Sequence, residues 1–210
     1  SAADQLDAII GHARAGLTAY QNARYAQHYQ DFVDAVRSAE RAALPPGAPG
    51  ELTRQVALNY AKLLANKDEY EVARLYTNGS LERALGEQFT GDYAVHYHFL
   101  PEYLSKKHPD GRLTAKYRFG PAARSWLSLL ASLRGLRGTP LDPFQWSTTR
   151  RNERAVAKEY RVMIEETLVA LNGHNHAAAI ELATLPEKLR GFGELRKQAT
   201  ANMRAQASAI

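Results

Sequence analysis

The chain has 210 residues, 45% of them hydrophobic and 23% charged, which is typical of a globular protein with one well-formed core or two small ones and excludes a disordered polymer. It contains no cysteine, so these residues cannot form disulfides, a cysteine nucleophile, a zinc ribbon or an iron–sulfur cluster site. A net charge of +5 and a pI near 9.4 favour acidic partners such as nucleic acid, CoA phosphates or acidic electron carriers.

The N-terminal segment, residues 1–16, lacks both an initiating methionine and the continuous apolar core of a signal peptide. Elsewhere no apolar run approaches the roughly 18–20 residues that cross a bilayer. We therefore expect a cytoplasmic chain without membrane contact, and an excised fragment or processed product of a larger protein.

Helical periodicity dominates the chain before residue 88, with apolar side chains recurring every three or four positions. The PPGAPG sequence at 45–50 interrupts this pattern, because neither proline nor glycine continues a helix. The predicted helices are 6–44, Glu51 to about Tyr76, and 80–87, with Asn78-Gly79 ending the second and Ser80 capping the third. The predicted core positions are Leu6, Ile10, Ala13, Leu17, Tyr20, Phe32, Val36, Ala39, Val56, Tyr60, Leu63 and Leu64.

Strand periodicity replaces helical periodicity after Phe89. Aromatic and aliphatic residues alternate with small, polar or charged ones over 93–99 and again over 113–119. HPDG at 108–111 has the composition of a turn. We predict one small antiparallel β-hairpin at about residues 90–119, with an aromatic face packed on helices.

Helices return after Pro121 and continue to the end of the chain. The predicted segments are a helix through Trp126, Leu127, Leu129, Leu130 and Leu133, one from Thr148 or Thr149 to about Leu171, one over 174–185 that Pro186 ends, and one from about Glu194. The expected fold is mainly α, a multi-helix domain over 1–210 with one small antiparallel β-hairpin.

The histidines are the first candidates for chemistry, because His96 and His98 share one strand face and His174 and His176 flank Asn175. A catalytic zinc needs about three protein ligands in suitable geometry. No HExxH spacing occurs, so a polar strand face and a helix start are the simpler interpretation.

Sequence motifs of the large enzyme classes are missing. There is no GxSxG elbow, no GxxxxGK[ST] loop and no GxGxxG after a strand. We therefore expect neither a catalytic residue nor a metal site in this chain.

KDEYEVARLY, residues 67–76, is unusually charged for a helix with one buried face. The spacing allows Glu71 to pair with Lys67 and with Arg74, each pair contributing a few tenths of a kcal/mol on a solvated surface. The alternative is a docking face with apolar anchors between charges. The candidate residues are Lys67, Tyr70 and Arg74, with Leu75 and Tyr76 as further anchors.

LRGLRGTPLDPF, residues 133–144, combines two Arg-Gly steps with a Thr-Pro and an Asp-Pro step. Glycine opens left-handed conformations and proline fixes φ, so this composition specifies one backbone path. Arg134 and Arg137 either bind the carbonyls of a helix C-terminus or form an anion-binding or docking edge. Both interpretations remain open from the sequence.

Four segments taken together resemble a known family. They are KDEYEVARLYTNG at 67–79, FTGDYAVHYHFLP at 89–101, LRGLRGTPLDPF at 133–144 and ELATLPEKLRGFGELR at 181–196. In this order and spacing they resemble the C-terminal region of the long, fused indolepyruvate ferredoxin oxidoreductase family, a branch of the 2-oxoacid:acceptor oxidoreductases. LTAYQNARYAQHY at 17–29 resembles the entry into that region.

The resemblance implies a parent enzyme that oxidatively decarboxylates a 2-oxoacid. Members of the family use thiamine diphosphate with magnesium, form an acyl-CoA and pass electrons through iron–sulfur clusters to ferredoxin. The motifs for these steps are absent here, so no catalytic residue carries over and this chain would be an appended helical domain without a cofactor of its own.

Three hypotheses for the function follow. The first is a non-catalytic accessory domain that docks on the catalytic modules of the same polypeptide, with ferredoxin or CoA as further candidate partners. The second is an anion-binding module in which Arg134 and Arg137 hold a CoA phosphate or a 2-oxoacid carboxylate. The third is a basic helical nucleic-acid binder, disfavoured because acidic residues interrupt the predicted helices.

Overall fold

A computed structural model of the protein describes residues 1–91, 94–99 and 117–188. Over these residues the fold is mainly helical with one two-stranded antiparallel sheet, as the sequence predicts. The elements are α1 Ala2–Tyr20, α2 Ala23–Ala43, α3 Glu51–Leu64, α4 Glu69–Thr77, α5 Ser80–Gln88, β1 Tyr97–Phe99, β2 Tyr117–Phe119, α6 Ala123–Ser132, α7 Thr148–Val169 and α8 His176–Thr184. Short 3-10 turns at Leu133–Leu136 and Leu185–Lys188 follow α6 and α8.

The contacts between residues divide the chain into two compact units. Unit 1 comprises Ser1–Asn66 and the described residues from Gly135 onward, and unit 2 comprises the described residues of Lys67–Arg134. The expectation of a single domain over 1–210 stays a prediction, because spatial grouping does not report whether the units unfold together.

The core of unit 1 is built around stacked tyrosines. Tyr60 of α3 lies between Tyr29 of α2 and Tyr160 of α7, with ring centroids 6.2 Å apart in both pairs. The Tyr29 hydroxyl donates to the Ala57 carbonyl at 3.1 Å, and the Tyr160 hydroxyl donates to the Ala183 carbonyl at 2.9 Å. Burial raises the pKa of Tyr160 far above its ordinary value, so the hydroxyl remains a donor.

Most residues predicted for the core are buried there. The buried ones are Leu6, Ile10, Leu17, Tyr20, Phe32, Val36, Val56, Tyr60 and Leu63. Helical periodicity identified them because each lies on a stripe that faces neighbouring helices.

Two predicted helical stretches are divided in the structure. The pattern over 6–44 forms α1 and α2, because the Asn22 side chain accepts the Tyr25 N–H at 2.8 Å and starts a new helix. The prediction of one helix over 51–76 is wrong. The chain leaves α3 after Leu64, and Asp68, which is buried, caps α4 by accepting the Glu71 N–H at 2.8 Å.

Two predicted N-caps lie one or two residues away from the observed ones. Gly79, at φ +83°, precedes α5, while the Ser80 hydroxyl donates to the Asn78 side chain at 2.6 Å. Ser147, rather than Thr148 or Thr149, is the N-cap residue of α7.

In unit 2, β1 and β2 pair antiparallel with Tyr97 opposite Phe119, which confirms the predicted hairpin pairing. Tyr97 is buried with Ala73 of α4 and with Leu127 and Ala131 of α6, and Phe119 packs against the same cluster. The aromatic face therefore lies on helices, as predicted.

The strands are shorter than predicted, because 94–96 lie outside β1. The turn predicted at 108–111 and the start of the second strand at 113–116 fall outside the described residues. The helix predicted from Glu194 does so as well, and Pro186 lies within the 3-10 turn after α8.

Among the helices of 1–91 and 117–188, none has the length and apolar content that would take it across a membrane.

Candidate functional site

The segment 133–144 folds as a corner that is hydrogen-bonded to itself. After the 3-10 turn, Gly138 adopts φ +74°, a conformation that favours glycine. Asp142 is 3% exposed, and its carboxylate accepts the N–H of Gly138 at 2.8 Å and of Phe144 at 3.0 Å. The Thr139 hydroxyl donates to the Leu136 carbonyl at 2.7 Å. These bonds hold the segment on one defined backbone path, as its glycine and proline content predicts.

Arg134 contacts the C-terminus of the helix that precedes it. Its Nη1 donates to the Ala131 carbonyl of α6 at 3.3 Å, and the side chain is half-buried. An arginine near a helix C-terminus binds terminal carbonyls and interacts favourably with the helix dipole. The local interpretation therefore accounts for the position of Arg134.

Arg137 completes the C-terminus of a helix that is distant in sequence. Its Nη1 donates to the Tyr20 carbonyl at the end of α1 at 2.6 Å, and its guanidinium lies 3.6 Å from the centroid of the Tyr20 ring. A guanidinium over an aromatic face adds a cation–π attraction. Arg134 and Arg137 thus belong to different units and contact carbonyls of different helices. Their predicted role toward an anion stays a prediction.

The predicted docking residues of 67–76 lie on or next to α4. Lys67 is exposed and forms no ion pair with Glu71, whereas Arg74 binds Glu71 through two hydrogen bonds of 2.8 and 2.7 Å. Hydrogen bonding to Glu71 raises the pKa of Arg74. Tyr70 is only 2% exposed, so its ring does not lie on the surface.

Leu75 and Tyr76, the two further anchors, are 38% and 36% exposed. Tyr76 meets Tyr97 edge-on with ring centroids 5.6 Å apart. The docking face predicted for this segment therefore has an aromatic ring that is already in contact with the sheet.

The most buried carboxylate of the described residues was not identified from the sequence. Glu40, in the last turn of α2, is 2% exposed, and its oxygens accept the N–H groups of Leu52 and Thr53 at 2.9 Å and the Thr53 hydroxyl. His176 Nε2 lies 2.7 Å from the same carboxylate. Glu40 therefore caps the N-terminus of α3 from another helix.

Burial alone would raise the pKa of Glu40, but the hydrogen bonds from Thr53, His176 and Leu52 outweigh it and lower the pKa below its ordinary value. The carboxylate remains ionised at neutral pH. Every oxygen has partners, so the cluster is a structural junction between α2, α3 and α8.

The candidate histidines do not converge on one site. The guanidinium of Arg118 lies within 3.3 Å of both ring nitrogens of His96, and His98 and His174 are exposed. Within the described ranges, no three His, Asp or Glu side chains are placed to hold a metal ion.

One open groove lies along α7. Its volume is about 410 Å³, and it is lined by Ala155, Lys158, Glu159, Val162, Met163 and Glu166. A small-molecule site usually has convergent polar groups within an apolar enclosure. This groove is open and carries charges of both signs, so we do not assign a ligand to it.

Large apolar side chains are exposed at several positions, among them one face of α6 and the residues just before α7. On α6 and directly after it, Trp126, Leu129 and Leu133 are 75%, 53% and 41% exposed and follow an i, i+3, i+7 spacing, which places them on one helix face. The sequence predicted this helix as apolar but did not distinguish its two faces. In unit 1, Leu141 and Trp146 are 75% and 73% exposed.

Comparison with protein families gives a match over nearly the whole chain. The model of a family of unknown function (DUF6537) matches residues 6–209. No curated protein and no solved structure matches the chain.

Proposed function

Because the chain belongs to the DUF6537 family of unknown function, we propose its role from its own residues: a C-terminal, non-catalytic accessory domain of a thiamine-diphosphate-dependent 2-oxoacid:ferredoxin oxidoreductase of the indolepyruvate type. This parent is supported by four segments whose order and spacing resemble the indolepyruvate ferredoxin oxidoreductase family. They lie at 67–79, 89–101, 133–144 and 181–196. In this proposal the enzyme is cytoplasmic. Its other modules hold thiamine diphosphate, magnesium and the iron–sulfur clusters, and this chain docks on them.

The observation that carries the docking function is the apolar face of α6. Leu127 and Ala131 on one side of the helix are buried in unit 2, whereas Trp126, Leu129 and Leu133 on the other side are exposed. Contiguous exposed apolar side chains usually mark an interaction site, and tryptophan is enriched among residues that dominate binding.

Covering this face would contribute a substantial binding energy. Complete burial of a large apolar side chain contributes about 1.5–3 kcal/mol, before the cost of association is subtracted. Three such side chains on one helix face are therefore a credible centre for an interface with the catalytic modules.

The test uses the parent enzyme, whole and as separately expressed parts, and a variant with Trp126→Ser and Leu129→Ser. Both residues are exposed, so the variant is expected to fold, while assembly of the domain on the catalytic modules weakens by roughly a hundredfold. Val169→Ser is the matched control, because Val169 is 90% exposed on α7. Assembly is measured by sedimentation of the separately expressed parts, and turnover by ferredoxin reduction with indolepyruvate.

Deletion of the whole domain provides the decisive comparison. We expect loss of assembly or of ferredoxin-linked turnover. Unchanged rate and assembly after the deletion would show that the chain has no accessory role in this enzyme.

A further inference from the structure

A further pair of exposed apolar side chains lies in unit 1, just before the start of α7. Leu141 and Trp146 are 75% and 73% exposed and are separated by four residues of the corner described above. We call these two side chains the Leu141–Trp146 patch. In the described part of the chain, no ring contact or hydrogen bond involves the side chain of Trp146.

The backbone that carries the patch is held in place. Asp142, buried between the two residues, accepts the N–H of Phe144 at 3.0 Å. The Gln145 side chain donates to the Pro140 carbonyl at 3.1 Å, and Arg154 of α7 donates to the Gln145 carbonyl at 2.8 Å. Because this loop is already ordered, it loses little conformational entropy when a partner binds the patch.

The first three turns of α7, which follow the patch in sequence, carry more basic than acidic side chains. Residues 147–158 contain four basic side chains and one acidic side chain, and the first turn of α7 has no acidic residue. Arg150 pairs with that single acid, Glu153, at 2.8 Å. Arg151 is exposed and forms no ion pair with the described residues.

These arginines lie at the end of α7 where positive charge is least favourable. The N-terminus of a helix carries a partial positive charge and prefers anionic neighbours. An acidic group next to Arg151 would be attracted by the guanidinium and by the helix dipole together. The charge of this surface therefore selects the kind of partner.

We infer that the Leu141–Trp146 patch, together with Arg151, is a docking site for an acidic protein surface with an exposed apolar side chain at its centre. The inference extends the proposed docking function, on which it rests for the identity of the partner as a catalytic module. Paired aromatic and arginine anchors are typical of protein interfaces. A nucleic acid fits less well, because Arg150 is paired and Arg154 binds a carbonyl.

The first test isolates the surface from the identity of the partner. Trp126→Phe leaves Trp146 as the only tryptophan, because the chain contains two. The probe is a synthetic amphipathic peptide of glutamate and leucine, with a twin in which glutamine replaces every glutamate. We expect the acidic peptide alone to shift the Trp146 emission to the blue, with an affinity that falls as salt is added.

Two charge reversals provide the matched comparison. Arg151→Glu should weaken binding of the acidic peptide at least about tenfold. Arg24→Glu should not, although Arg24 is also exposed in the first turn of a unit 1 helix. The inference is overturned by no shift with the acidic peptide, by an equal shift with the glutamine twin, or by a stronger response to a single-stranded oligonucleotide.

The second test separates this inference from the proposed function. Trp146→Ala and Arg151→Glu are introduced into the chain, and its assembly with the separately expressed catalytic modules is measured at low and high salt. A loss of about thirtyfold for Trp146→Ala supports the patch as part of that interface. Assembly that neither variant weakens overturns the inference and leaves the proposed docking intact. No assembly of the unmodified chain contradicts the proposed function, while the peptide result still decides whether the surface binds acidic partners.

Discussion

Replacing Glu40 with alanine should destabilise unit 1 more than any surface substitution. Its carboxylate accepts the N–H groups of Leu52 and Thr53 and the Thr53 hydroxyl, all in positions that are essentially inaccessible to water. Alanine removes the acceptor and leaves these donors buried. The N-terminus of α3 also loses its cap.

The expected loss follows from these contacts. A buried donor without a partner costs about 1–3 kcal/mol, and loss of an N-cap costs about 0.5–2 kcal/mol. Water that enters the space left by the side chain recovers part of this energy. We expect Glu40→Ala to lower the free energy of unfolding by about 3–5 kcal/mol, as for other buried charges whose partners are left unpaired.

Urea unfolding followed by far-UV circular dichroism measures this loss. Glu40→Gln keeps one carbonyl oxygen and should lose about half as much, so the argument stays testable if the alanine variant does not fold. Glu181→Ala is the control, because Glu181 is exposed on α8, and should change stability by less than about 0.5 kcal/mol. A loss below about 1 kcal/mol for Glu40→Ala would refute the capping role.

Further predictions concern acid stability, the corner, the arginines and the core. Because the folded-state pKa of Glu40 is lowered, its contribution is complete above the unfolded pKa near 4.3 and disappears as the pH falls through the folded value, so acid unfolding should be steeper in wild type than in Glu40→Gln. Asp142→Ala should cost about 1–3 kcal/mol and expose the corner to limited proteolysis, because two partly buried N–H groups lose their acceptor. Arg137→Ala should lower the melting temperature through a loss of about 1–2 kcal/mol. Tyr160→Phe should cost about 0.5–1.5 kcal/mol in urea unfolding. Calorimetry with CoA should give no heat, whereas heat that disappears with Arg134→Ala would revive the anion-binding hypothesis.

The sequence predicted the core better than the ends of the helices. Leu17 and Tyr60 lie on periodic apolar stripes, and burial along such a stripe depends on spacing alone. The divisions at Asn22 and Asp68 depend on one side chain each, in residue types that also occur on solvated helix surfaces. Caps of this kind are difficult to distinguish before the neighbouring backbone is known.

The candidate site shows the same contrast between local and distant contacts. The role of Arg134 at the end of its own helix follows from local sequence, whereas Arg137 binds the carbonyl of Tyr20, which no local pattern indicates. Glu40 continues the stripe of Val33 and Val36, but a charged residue there signals burial only when its partners on α3 and α8 are known.

The tyrosine stack of unit 1 has a consequence for synthesis of the chain. The ring contact between Tyr60 and Tyr160 forms only after residue 160 has been translated. The residues of unit 2 are translated between these two tyrosines. At typical elongation rates this interval lasts on the order of ten seconds. During that time the nascent α1–α3 segment exposes the aromatic face that α7 later covers. A chaperone that acts on the nascent chain would therefore bind the exposed face of α3. Premature termination before α7 would leave a product prone to aggregation.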